Sequence, residues 1–151
     1  MASYLLDTND LVYRINVGDP WHGPTVAALS ALRRRGQPLW LAPQILIEFR
    51  RVCTRRAGEG GLGMTPEEAT RARTLAERLF GVLPETPAIY PAWKAVVDAV
   101  QVQGKQVHDA RLVAVCHAAG VSHILTVNVA DFQRYRDIGP GITAVHPQDV
   151  R

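Results

Sequence analysis

Asp7, Glu48, Asp109 and Asn128 come from well-separated parts of the chain, and each falls where a regular element starts or ends. Three carboxylates brought to about 5 Å from one another repel by roughly 3 kcal/mol per pair at an effective dielectric of about 20. A divalent cation removes that cost, and an all-oxygen ligand set suits Mg²⁺ or Mn²⁺ better than zinc. Such an ion can polarise a phosphoryl oxygen and activate a water. Each residue also has a purely structural use. Asp7 and Asn9 can cap a helix, Glu48 alone is an ordinary carboxylate at an exposed edge, Asp109 suits a helix start, and Asp131 suits a turn or cap.

Which use applies depends on the elements that carry these residues. Tyr4-Leu5-Leu6 is a short apolar run closed by Asp7-Thr8-Asn9-Asp10, a buried strand running into a helix cap. A helix is expected from Thr25 to Arg35, stopped by Gly36, with Arg33, Arg34 and Arg35 in its last turn. Pro38 to Ala42 is a second strand candidate, and Pro43 stands where a first helical residue tolerates proline. From Pro43 to Arg55, Ile45, Leu46, Phe49, Val52 and Cys53 share one face at about 100° per residue, with Ile47 the apolar exception on the other side. Glu48 falls at the edge of the apolar stripe. Arg50, Arg51 and Arg55 fall on the polar side, a face that can grip phosphates or an acidic partner or simply meet water.

Residues 58–63 form a glycine-rich connector, and Thr65-Pro66-Glu67-Glu68 opens a helix with a capping box. Val82-Leu83-Pro84 suggests a brief strand. A helix is expected from Pro91 to Gln103, ended by Gly104, and another is opened by Asp109 and ended by Gly120. Ser122 to Val127 and Gly141 to Val145 complete the strands, with Asn128 and a short turn through Asp131-Phe132 between them. Strands alternating with helices predict an α/β fold with a parallel sheet covered on both faces. In such sheets ligands gather beyond the carboxyl ends of the strands.

With 151 residues, 47% hydrophobic and 21% charged, the chain suits one globular domain over 1–151 and excludes a fibrous or disordered protein. No apolar run reaches the ~18 residues of a membrane span. The first residues do not read as a signal peptide, and Cys53 and Cys116 are isolated thiols, so a cytoplasmic setting is expected. A net charge of +3 permits a polyanionic partner without requiring one. The five histidines show no HExxH or Cys/His spacing, Ser3, Ser30 and Ser122 lack a GxSxG context, and no GK[ST] completes a phosphate loop.

Four segments, taken together and in order, carry a resemblance. They are Leu5-Leu6-Asp7-Thr8-Asn9, Pro43-Gln44-Ile45-Leu46-Ile47-Glu48-Phe49, Val107-His108-Asp109-Ala110-Arg111-Leu112-Val113-Ala114, and Leu125-Thr126-Val127-Asn128-Val129-Ala130-Asp131-Phe132. The chain resembles the PIN-domain family, specifically the VapC-type ribonuclease toxins of toxin–antitoxin pairs. The resemblance spans nearly the whole sequence. It implies a three-layer α/β/α PIN-like fold and a Mg²⁺- or Mn²⁺-dependent endoribonuclease that hydrolyses RNA by a metal-activated water. Asp7, Glu48 and Asp109 match the family's acidic positions, as catalytic residues and metal ligands. Thr8 and Asn9 match positions that support the first aspartate. The fourth position, often aspartate, is Asn128 here, which leaves that role between Asn128 and Asp131. An antitoxin partner and a homodimer are further implications.

Two other functions compete. An aspartate ending the first strand can be the nucleophile of an aspartyl-phosphate phosphotransferase. That chemistry usually has a second aspartate two residues on, where this chain has Asn9, and a downstream lysine, for which only Lys94 and Lys105 exist. The other is a catalytically silent PIN-like module that only binds a partner.

Overall fold

The computed structural model describes residues 1–151. Five short strands, β1 (Tyr4–Leu6), β2 (Leu39–Leu41), β3 (Gly81–Val82), β4 (His123–Leu125) and β5 (Thr143–Val145), form one sheet in the order β3-β2-β1-β4-β5. Every neighbouring pair is parallel. Central β1 has Leu5 opposite Trp40 on one side and Ile124 on the other, and all three of its residues are buried. Burial on both faces is what a parallel sheet between helical layers requires. Helices α1 (Thr8–Ile15), α2 (His22–Arg34), α3 (Pro43–Thr54), α4 (Pro66–Leu79), α5 (Ile89–Val100), α6 (Gln106–Ala119) and α7 (Val129–Phe132) flank it. The fold is the three-layer α/β/α arrangement of a PIN-like domain.

Local chemistry starts and stops the helices that matter. α1 is closed by a reciprocal capping box: Asp7 takes the first turn's backbone N–H, and the Asp10 side chain answers the Asp7 N–H. Pro43 opens α3, and Ile45, Leu46, Phe49 and Cys53 are its buried face, as the 3.6-residue period predicts. Ile47 is the exception in fact as well, 72% exposed. α4 begins at Thr65, whose Oγ1 accepts the Glu68 N–H at 3.1 Å. α6 is different: Leu112 to Cys116 are all buried, so it crosses the interior instead of lying on it.

Several boundaries differ from the sequence reading. α2 starts at His22, three residues before Thr25, behind Trp21, which supplies no side-chain cap. α5 stops at Val100 because Gln101 turns left-handed (φ 53°), before Gly104 is reached. α6 starts at Gln106, so Asp109 is the fourth helical residue and not the opener. No helix is long and apolar enough to cross a membrane.

Candidate active site

The strand order reverses between β1 and β4, the one place where neighbouring strands lead away in opposite directions. The carboxyl ends of strands at such a switch point form a natural crevice. A cleft of about 630 Å³ opens there, and Asp7, Thr8, Asn9, Glu48, Asp109, Asn128 and Asp131 all line it. Asp7 follows β1, Glu48 rides on the second turn of α3, Asp109 on the first turn of α6, and Asn128 and Asp131 lie at α7.

Asp7 is held from three sides. Its Oδ1 accepts the Thr8 N–H at 2.8 Å. Its Oδ2 accepts the Thr126 hydroxyl at 2.7 Å. Its own N–H is shared between Asp10 Oδ2 at 3.0 Å and the Leu125 carbonyl at 3.1 Å. Thr126 in turn accepts the Asn128 N–H at 3.0 Å, so one fully buried hydroxyl fixes both sides of the switch point. Burial raises the Asp7 pKa, and the Asp131 and Glu48 charges add to it, against the bonds from Thr126 and Thr8. Asp109 is raised to about 6, by burial first and then by the charges of Asp7 and Asp131. The acids therefore feel one another's field.

A bridge of side chains holds α3 and α6 together at their starts. Gln44 Nε2–H donates to the His108 carbonyl at 2.9 Å. Arg111 donates to Gln44 Oε1 at 3.1 Å and to Glu85 Oε2 at 2.7 Å. This bridge sets the elements carrying Glu48 and Asp109 relative to one another. Glu48 itself is engaged: Arg51 Nε–H donates to both its carboxylate oxygens at 3.0 Å.

No protein-family model matches the sequence, and no curated protein matches it. Solved structures do. The chain is similar to VapBC2 from Rickettsia felis bound to a fragment of its promoter DNA, at TM-score 0.70 and 14% identity, over 95% of this chain and 97% of that one. It is also similar to VapBC-1 from nontypeable Haemophilus influenzae, at TM-score 0.66 and 17% identity, over 97% and 98%. VapC20 of Mycobacterium tuberculosis, a toxin that cleaves the sarcin–ricin loop, aligns at TM-score 0.52 and 21% identity, over 81% and 87%. The chain has the fold of a VapC-type toxin.

On this VapC-type fold, the cations of the cleft coincide only in part with the arginine face that the helical wheel offered. Of Arg50, Arg51 and Arg55, only Arg51 lines it. Arg50 turns to α4, donating to Thr70 Oγ1 at 3.1 Å, and Arg55 is the C-terminal cap of α3. The wheel gives a face of one helix and cannot show that α4 packs against part of it. Lys105 and Arg111 join Arg51 on the cleft instead, and the His108 side chain lines it as well.

Asp10 is the residue that sequence reasoning passed over as part of a capping run. It is fully buried beneath Asp7, and its Oδ1 has no hydrogen-bond partner. Burial and the Asp7 charge push its pKa well above the ordinary carboxylate value. The Asp-x-x-Asp spacing of a capping box was its signal.

The donor set of this cleft is carboxylate and amide oxygen with a single histidine, the chemistry of a hard cation. Its carboxylates are not gathered into a ready cage: no three acidic, histidine or cysteine side chains stand together as a metal-binding cluster. Glu48 lies in its ion pair with Arg51, so its carboxylate is shared with a guanidinium.

Proposed function

We propose that this chain is a metal-dependent endoribonuclease, the toxin of a toxin–antitoxin pair, with Asp7, Glu48 and Asp109 as the residues that hold Mg²⁺ or Mn²⁺. The observation that carries this reading is the cleft itself. Acids from four distant segments line it, and Arg51, Lys105 and Arg111 line the same space, a pattern suited to a phosphodiester lying across a cation. When bound, a divalent cation supplies positive charge to the phosphoryl oxygens and lowers the pKa of the attacking water.

The chain's own residues do the rest. Thr126 and the Thr8 N–H fix the Asp7 carboxylate in one orientation, so it meets its partner without rearranging. Asn128 or Asp131 completes the ligand set from the α7 side, Asn128 through its side-chain carbonyl or a water. Asn9, half-buried beside Asp7, supports the water around it. Release of Arg51 from Glu48 frees a guanidinium for the RNA backbone. The substrate class is unpaired RNA, whose backbone can be splayed into a cleft. An antitoxin protein is the expected partner, and a homodimer the expected assembly.

The phosphotransferase reading meets an obstacle beside Asp7: the second aspartate that this chemistry usually has two residues on is Asn9 here. One observation favours it, since Lys105 lines the cleft. The deciding assay incubates the purified chain with a mixed RNA pool in Mg²⁺, Mn²⁺ or EDTA, beside Asp7→Asn. Cleavage that depends on the ion and is lost in Asp7→Asn is expected. Cleavage that survives both EDTA and Asp7→Asn overturns the mechanism. No cleavage, with phosphate on Asp7, gives the site to the phosphotransferase.

A further inference from the structure

Beside the cleft lies a feature that the proposed chemistry leaves without a task. Glu85, Thr86, Ile89, Tyr90, Trp93 and Arg111 line a second pocket of about 350 Å³. Glu85 and Arg111 line both spaces, so the two share a wall. Tyr90 and Trp93 stand three residues apart on α5, a spacing that places them on one helix face. Their rings are 5.9 Å apart between centroids and within 16° of parallel. Trp93 is fixed by its Nε1–H, which donates to the Val107 carbonyl at 2.9 Å. Tyr90 is 64% exposed and lies outside the core, so beyond its contacts with Trp93 and Lys94 its ring is open to solvent. Lys94 Nζ, which does not line the pocket, lies 5.1 Å from the Tyr90 ring centre.

We propose, resting on the reading of the cleft as a ribonuclease site, that this pocket is a stacking subsite for one unpaired nucleobase flanking the cleaved bond. Aromatic rings hold bases of any identity through their π faces. The Thr86 hydroxyl and the remaining lone pairs of the Glu85 carboxylate, which Arg111 holds at 2.7 Å, are hydrogen-bonding groups for a base edge. Arg111, on the wall that pocket and cleft share, offers positive charge to the backbone phosphate between them. A planar ligand with polar edges on a polyanionic strand satisfies all of these features at once. The subsite also bears on substrate choice: a base inside a duplex has both faces covered by its neighbours, so one that stacks on Tyr90 must first leave that stack, which favours unpaired RNA.

The test uses the full chain carrying Asp7→Asn, so that RNA is bound without being cut. Fluorescence anisotropy measures its affinity for a labelled single-stranded oligoribonucleotide and for the same oligomer with abasic positions. Adding Tyr90→Ala should weaken binding to the natural oligomer by about 5- to 150-fold, the range for one stacked base. Tyr90→Trp should restore it, and Tyr90→Ala should have no effect on the abasic oligomer. Equal affinity with and without Tyr90→Ala overturns the proposal. A change in oligomeric state on Tyr90→Ala with RNA affinity unchanged also overturns it, by assigning the surface to a second copy. Cleavage by the wild type separates the two ideas. RNA cut by a protein indifferent to Tyr90 removes the subsite alone, whereas Tyr90-dependent binding without cleavage keeps the subsite and removes the nuclease.

Discussion

Asp109→Asn should stabilise the metal-free protein at neutral pH, and the structure gives the size of the effect. Only burial and neighbouring charges set the Asp109 pKa, with no hydrogen bond among the causes, so the isosteric amide sacrifices no bond. The folded protein binds the Asp109 proton more tightly than the unfolded chain does. Protonation therefore contributes stability that is fully present below the unfolded value of 3.8 and is lost as pH rises through about 6. Unscreened, that interval corresponds to about 3 kcal/mol. Asp109 is only half-buried, and solvent screening leaves on the order of 1 kcal/mol. For a domain of this length 1 kcal/mol is a melting-point shift of about 2–4 °C. Melts followed by circular dichroism in EDTA should show Asp109→Asn above the wild type by this amount at about pH 7.5, with the gap closing toward about pH 4. Millimolar Mn²⁺ should narrow the gap from the other side, raising the wild type more than the variant. A variant that melts at or below the wild type at neutral pH without metal refutes the account of Asp109. A gap of the same size at both pH values refutes it equally.

Other consequences are open to measurement. Thr126→Val removes the hydroxyl that serves Asp7 and Asn128; urea unfolding should register a loss of about 1–3 kcal/mol, and NMR titration should find the Asp7 pKa higher still, since that bond lowers it. Gly61→Ala places a methyl 2.1 Å from the Arg55 carbonyl oxygen, so thermal melts should fall by several degrees, while Gly58→Ala, with nothing within 4 Å, should leave them unchanged. Burial pushes Cys53 up to about 11 and Cys116 up to about 12, so mass spectrometry should find neither alkylated by iodoacetamide at about pH 8 until the protein is denatured.

How far the sequence spoke depends on what each element faces. α3 has one side on the core and one outside, so its stripe from Ile45 to Cys53 was readable from period alone. α6 is surrounded, with buried residues in an unbroken run, and a helix without a polar side carries no stripe to mark its start. Its first turn also lacks a side-chain cap, which is why Asp109 looked like an opener. The placement of Asp7 at the end of a central strand followed from an apolar run meeting a capping sequence. The bridge through Gln44, Arg111 and Glu85 spans up to 67 residues of sequence, and no local pattern announces such a contact. The same holds for Arg50, whose direction is decided by α4.

The bond between Thr126 and Asp7 joins positions 119 residues apart, and β1 has β2 on one edge and β4 on the other. During synthesis the first three strands can pair as they emerge, but the second edge of β1 stays open until β4 has been made. Until then Asp7 lacks the hydroxyl that orients it, and Asn128 and Asp131 do not yet exist. The acids of the cleft therefore come under one geometry only after β4 and α7 have been made and docked. A fragment that stops short of β4 carries Asp7 without the hydroxyl that orients it, so the site is assembled late in synthesis and all at once.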